Sequence, residues 1–201
     1  HLSLYIEIFV FRMSKNKIKH NKFVDIVVKQ NRIVNIVSTG LPTPGMASDA
    51  NRPKLEAGGK ELNCEGMYLM PGFVDMHGHI GGGQAPIAEY VFKLWMAHGV
   101  TTVRDPACGN GLDWVLDQKE KSAKNLITAP RIKAYTVFGQ GAKDFISTPE
   151  QAREWVRQNA QKGADGIKFF GAEPNVFKAA LEENKKLGLG SAAHHAQTEV
   201  G

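Results

Sequence analysis

Pro71-Gly72-Phe73-Val74-Asp75-Met76-His77-Gly78-His79-Ile80 closes an apolar run with two histidines spaced two residues apart. In an extended strand, residues i and i+2 project from the same face. His77 and His79 therefore leave one strand end together, and Asp75 shares their parity. Neutral imidazole is a common ligand for zinc and other borderline ions. Gly78 between them carries no Cβ, so the backbone there accepts a close neighbour. A His-x-His pair taken alone also fits two surface histidines in a Gly-rich turn, and its surroundings decide between the two.

Downstream of this stretch the pattern alternates strand and helix. Leu69–Asp75 reads as a strand, and Ile87–Ala97 as a helix with Val91, Leu94 and Trp95 at helical spacing. His98-Gly99 fits that helix's C-terminus, where Gly caps and His suits the dipole. Val100–Arg104 is the next strand, Trp114–Ala123 a helix, and Ile132–Phe138 a third strand. Thr148-Pro149-Glu150 opens a helix with an N-cap residue and Pro at N1, running to about Gln161. Gly166–Phe170 is a fourth strand, Asn175–Leu187 a helix ended by Gly188, and Ser191–His194 a fifth strand. Alternating β and α with short connections predicts a parallel sheet with helices outside. Periodicity alone leaves a doubly wound sheet and a barrel both open.

Upstream, residues 1–68 read as strands and turns. Leu4–Phe11 is β-rich, and Phe23–Val28 and Arg32–Val37 flank Lys29-Gln30-Asn31 as a hairpin. Residues 38–60 hold Gly40, Pro42, Pro44, Gly45, Pro53, Gly58 and Gly59 and read as loop. Residues 1–68 and 69–201 are thus expected to be separate domains.

The hydrophobic fraction of 42% and charged fraction of 22% fit a soluble globular protein. A net charge of +5 comes without an Arg-rich stripe interleaved with aromatics, so no nucleic-acid partner is expected. Cys64 and Cys108 lack zinc-ribbon spacing and read as two thiols rather than a disulfide framework. The apolar start, Leu2–Phe11, is short and interrupted by Glu7. It is expected to be a strand, neither a membrane span nor a signal peptide. The protein is read as cytoplasmic, with a leader upstream of His1 left open.

The string from Pro71 to His79 resembles the first-strand signature of the amidohydrolase superfamily, Pro-Gly-x-Val-Asp-x-His-x-His, at every defining position. The resemblance implies a (β/α)8 barrel whose first strand ends here. It also implies that His77 and His79 bind the catalytic metal, with Asp75 supporting them from behind. Residues 1–68 then resemble the N-terminal contribution to the small β-sandwich that such enzymes commonly carry. A full barrel needs eight strands and typically about 250 residues. Five strands are legible here, so the chain is expected to be the N-terminal portion of a longer enzyme.

Two further strand ends carry chemistry. In Gly166-Ile167-Lys168-Phe169-Phe170, parity puts Ile167 and Phe169 toward the helices, and Gly166, Lys168 and Phe170 inside. An unpaired buried ammonium is costly. Lys168 therefore either pairs with a carboxylate or takes up carbon dioxide to become an anionic ligand bridging two metals. His194 follows the small residues Ser191-Ala192-Ala193, and His195 has the opposite parity. His194 is thus the candidate ligand of the two, against a hydrogen-bonded core or loop histidine. Arg104 and Tyr135 lie near strand ends, where either substrate contact or structural hydrogen bonding would suit them. Gly81-Gly82-Gly83 lacks the context of a dinucleotide site and reads as a flexible loop at the site rim.

Together, Gly99–Asp105, the Gly-Ala-Asp-x-Ile-Lys stretch ending at Lys168, and Gly188-Leu189 leading to Ala193-His194 and Thr198-Glu199 resemble the imidazolonepropionase-like branch. That branch implies a binuclear site, most often Zn2+, although manganese or cobalt would also suit the donors. His77 and His79 would hold one ion, carbamylated Lys168 would bridge, and His194 would hold the other. A histidine from strand 6 and an aspartate from strand 8 are expected beyond these 201 residues. The implied activity is hydrolysis of an amide or cyclic-amide C–N bond in a small-molecule substrate, imidazolone or dipeptide in type. Lys168 and Asp75 would belong to the catalytic apparatus. The alternatives are a mononuclear deaminase, which shares the first signature without needing the lysine, and a truncated, non-catalytic binding module. A homo-oligomer is left open.

Overall fold

A computed structural model describes residues 8–14, 23–30, 32–40, 52–65, 67–81 and 87–194. The chain divides into two compact units, His1–Met70 and Pro71–Gly201. The first unit holds one four-stranded sheet in the order β3-β2-β1-β4, built from β1 (Ile8–Ser14), β2 (Phe23–Lys29), β3 (Arg32–Gly40) and β4 (Lys60–Glu65). β1 and β3 run antiparallel to β2, and β4 runs parallel to β1. The expected hairpin is present, and Gln30 in its turn takes the left-handed conformation (φ 55°). Its neighbour Asn31 and residues 1–7 lie outside the described residues. β3 runs on to Gly40 and β4 starts at Lys60, so each enters the stretch expected as loop, and β4 has no counterpart among the expected strands. Its polar residues, Lys60, Glu61, Asn63 and Glu65, hide a strand whose partner lies some fifty positions earlier in the chain.

The second unit is an α/β half-barrel. A curled, five-stranded parallel sheet runs in the order β5-β6-β7-β8-β9. Its strands are β5 (Phe73–Asp75), β6 (Val100–Asp105), β7 (Arg131–Val137), β8 (Gly166–Phe169) and β9 (Gly190–Ala193). Helices α1 (Ala88–Ala97), α2 (Leu112–Ala123), α3 (Pro149–Lys162) and α4 (Pro174–Lys186) connect them. β5 is shorter than the expected Leu69–Asp75, because Pro71 has no N–H to give a ladder and pairing starts with Phe73 N donating to Gly99 O at 2.8 Å. α3 begins with a reciprocal capping box: Thr148 accepts from Gln151 N, and Gln151 Oε1 accepts from Thr148 N.

The core between sheet and helices falls into two clusters. Val103, Ile132 and Ala134 pack with Phe92, Leu112 and Val115 under α1 and α2. Ile167 and Phe169 pack with Trp155, Val156, Val176 and Ala180 under α3 and α4. The alternate residues of each strand face the concave side. Among the described residues no helix is long and apolar enough to cross a membrane. Cys64 and Cys108 are free thiols, half-buried and buried respectively.

Candidate metal centre

In a parallel sheet all strand ends of one kind lie along one rim. The C-terminal ends of β5, β8 and β9 bring the candidate residues to that rim. At β5, the backbone of the turn is fixed to β6. The Met76 carbonyl accepts from Arg104 Nε at 2.7 Å. Gly78 N donates to the Arg104 carbonyl at 3.0 Å, and Ile80 N to Asp105 Oδ2 at 3.4 Å. A Cβ on Gly78 would overlap Val103 and the Trp95 ring, so glycine alone lets the turn settle this closely. Ile80 is fully buried beyond it.

The alternate side chains, His77 and His79, stay exposed. Their ring centroids are 5.1 Å apart, with the planes at 72°. A tetrahedral ion with Zn–N bonds of about 2.0–2.1 Å holds two imidazole centroids about 5 Å apart. The ring separation of the pair matches that value. Asp75 Oδ1 accepts from His77 N at 2.9 Å, so it holds the backbone of the first histidine. His79 Nδ1 lies 4.0 Å from Asp105 Oδ1, beyond hydrogen-bonding distance.

At β8, Ile167 and Phe169 are fully buried among the helices, which leaves Lys168 on the concave face as parity predicted. Lys168 is only 4% exposed. Its Nζ lies 5.4 Å from the Phe170 ring centroid. Among the described residues its ammonium makes no hydrogen bond or ion pair. The same ring meets His194 edge-on, with centroids 4.9 Å apart. His194 N donates to Phe169 O at 2.9 Å, which fixes the end of β9 against β8. Phe170 thus touches both candidate ligands, a role that sequence reasoning missed although parity had already placed the ring inside.

The chain therefore brings together two imidazoles at one point of the rim, and a lysine and an imidazole around a phenyl ring at another. Among the described residues no group of three or more His, Cys, Asp or Glu gathers as a metal cage. His195, Thr198, Glu199, Gly82 and Gly83 lie outside the described residues.

Arg104 and Tyr135 sit on the concave face. The Arg104 guanidinium lies 5.1 Å over the Tyr135 ring centroid, and its Nε is engaged by Met76. A Cβ on Gly166 or Gly190 would overlap the Tyr135 ring, so the two glycines form the slot that receives it. Asp105 is the other residue missed from sequence. Fully buried, it accepts from Ala107 N and Cys108 N at 3.1 Å each as well as from Ile80 N. An Asp ending a strand just before Pro106 is a turn signal that could have found it. Burial, with the Asp105 charge adding to it, pushes the Cys108 thiol up, so it stays protonated.

No family model matches the chain. It is 36% identical over 140 residues to the adenine deaminase of Methanoculleus marisnigri, covering 66% of this chain and 26% of that protein. It is 30% identical over 130 residues to the adenine deaminase of Bacillus licheniformis, covering 60% of this chain and 22% of that one. The chain thus spans about a quarter of the length of the curated relatives it matches. In structure it resembles a Xaa-Pro dipeptidase crystallised with methionine in its active site. The TM-score is 0.56 at 20% identity, covering 94% of this chain and 56% of that one. That likeness is one of fold. The expected imidazolonepropionase-like branch is not confirmed by these similarities. The sequence relatives and the half-barrel fold together support the amidohydrolase superfamily for this chain.

Proposed function

We propose that this chain forms the first half of the barrel of a metal-dependent hydrolase that cleaves a C–N bond in a small-molecule substrate. The observation that carries the proposal is the His77–His79 pair, two exposed imidazoles at one-ion spacing on a turn fixed by backbone hydrogen bonds. Divalent ions, zinc by the sequence resemblance, would supply an acidified water and polarise the bond under attack. His77 and His79 would hold one ion and His194 a second. Lys168 would bridge them after carbamylation, in which its neutral amine adds to carbon dioxide and releases a proton. That reaction would replace a buried ammonium that makes no hydrogen bond or ion pair among the described residues with an anion suited to divalent ions, which favours the reading. Asp75 orients His77 through its backbone. Sequence beyond this chain would supply the remaining ligands, the proton-handling aspartate and the rest of the small sandwich begun by β1–β4. We place the enzyme in the cytoplasm, without a nucleic-acid or membrane partner.

Amide or cyclic-amide hydrolysis is favoured by Lys168, because a bridging lysine belongs to the binuclear hydrolase pattern. Deamination is the second reading, favoured by the adenine deaminases among the sequence relatives. The test is an assay of the full-length protein, with metal and bicarbonate, against cyclic amides, Xaa-Pro dipeptides and adenine. Ring opening or peptide cleavage without ammonia release is the expected result. Ammonia from adenine, with the other substrates untouched, would replace the first reading with the second. No turnover of any of them by a protein that binds no metal would favour the non-catalytic alternative.

A further inference from the structure

We infer that Arg104 and Asp105, the last two residues of β6, are positioning residues that set the geometry of His77 and His79. The inference rests on the metal-site proposal above and extends it to residues that are not ligands. Three successive alternate residues of the turn are each tied to this dipeptide. The Met76 carbonyl is held by the Arg104 side chain (2.7 Å), Gly78 N by the Arg104 carbonyl (3.0 Å), and Ile80 N by the Asp105 carboxylate (3.4 Å). The two histidines are the residues between these anchors. Neither can shift along β6 without breaking a bond on each side of it.

Each anchor is itself held. The Arg104 guanidinium rests on Tyr135, whose ring fills the slot at Gly166 and Gly190. The Asp105 carboxylate is fully buried and also accepts from Ala107 and Cys108 N–H groups. It therefore couples the histidine turn to the loop after β6. Met76, Gly78 and Ile80 carry no chemistry of their own, and with the backbone pinned through them the imidazoles are left free for an ion. Supports of this kind behind a ligand typically govern metal affinity by roughly 10- to 100-fold.

The experiment titrates Co2+ into the metal-free, full-length protein and follows the visible absorption of the bound ion. Wild type, His77→Ala, Arg104→Gln, Arg104→Lys and Asp105→Asn are compared, each checked for folding by thermal melting. Arg104→Gln is expected to melt near the wild type, bind Co2+ roughly 10- to 100-fold more weakly and show an altered cobalt band. Arg104→Lys, which can still donate to Met76 O, is expected to recover part of the affinity. Should Asp105→Asn fail to fold, Arg104→Gln alone carries the test, because its side chain is only half-buried. Wild-type affinity and an unchanged band in Arg104→Gln, with binding lost in His77→Ala, would overturn the positioning role and leave the metal site standing. Failure of wild type to bind, or undiminished binding by His77→Ala, would overturn the metal site and this inference with it.

Discussion

Asp165 immediately precedes β8 and Lys168 lies within it, near its C-terminal end, and the protein surrounds them differently. Asp165, at the N-terminal end, receives Lys119 Nζ at 2.7 Å, Lys133 Nζ at 3.0 Å and Ala134 N at 2.9 Å. Its own backbone joins β7 and β9, donating to Ala134 O at 2.8 Å and accepting from Gly190 N at 2.9 Å. Lys168, near the C-terminal end, is more deeply buried, yet among the described residues its ammonium meets only the Phe170 ring. At the N-terminal end of β8 every charged group named here has a partner. At the C-terminal end stand the residues proposed above as ligands, in keeping with the way barrels divide stability from chemistry.

The contrast can be broken most severely at Asp165. Asp165→Ala leaves two ammonium groups and the Ala134 N–H without their acceptor. It is expected to cost about 3 kcal/mol of stability, read by denaturant unfolding of the full-length protein. Burial alone would raise the Asp165 pKa, but the two lysines and the Ala134 N–H outweigh it and hold the carboxyl below its usual range. A carboxyl whose folded pKa is depressed stabilises the fold above its unfolded pKa, near 3.9. That contribution is lost as pH falls through the lower folded value. Stability of the wild type should therefore drop below about pH 4, and the drop should be shallower in Asp165→Ala.

The layer between the two rims is tested at Gly190. Gly190→Ala would place a methyl on the Tyr135 hydroxyl and is expected to cost about 2 kcal/mol by overpacking. Tyr135→Ala in the same chain should relieve much of that cost, giving a coupling that a double-mutant cycle measures. At the start of α3, in the loop that follows β7, Thr148→Ala removes the helix cap. It should cost about 1 kcal/mol and leave metal affinity unchanged, since the cap bonds of Thr148 go only to Gln151 within the same helix start.

What was legible in the sequence was local. Thr148-Pro149 marked the start of α3, and Gly188 closed α4 with a φ of 69°. Alternation in Gly166–Phe170 told inside from outside correctly, because helix packing on one face forces a period of two. What escaped was non-local. β4 carries too many charged residues to announce itself and forms through pairing with the distant β1. Asp105 has the look of a turn residue, and only the folded chain brings Ile80 N to it. The contact of Phe170 with both Lys168 and His194 depends on the register of β8 with β9, which no stretch of either strand encodes alone.

The central claim is that the C-terminal rim holds two ions bridged through Lys168. The most direct measurement is elemental analysis of metal per chain, on full-length protein purified with bicarbonate, for wild type and Lys168→Ala. The account predicts about two equivalents in the wild type and a clear loss in the variant. About one equivalent in both, unmoved by the substitution, would contradict it.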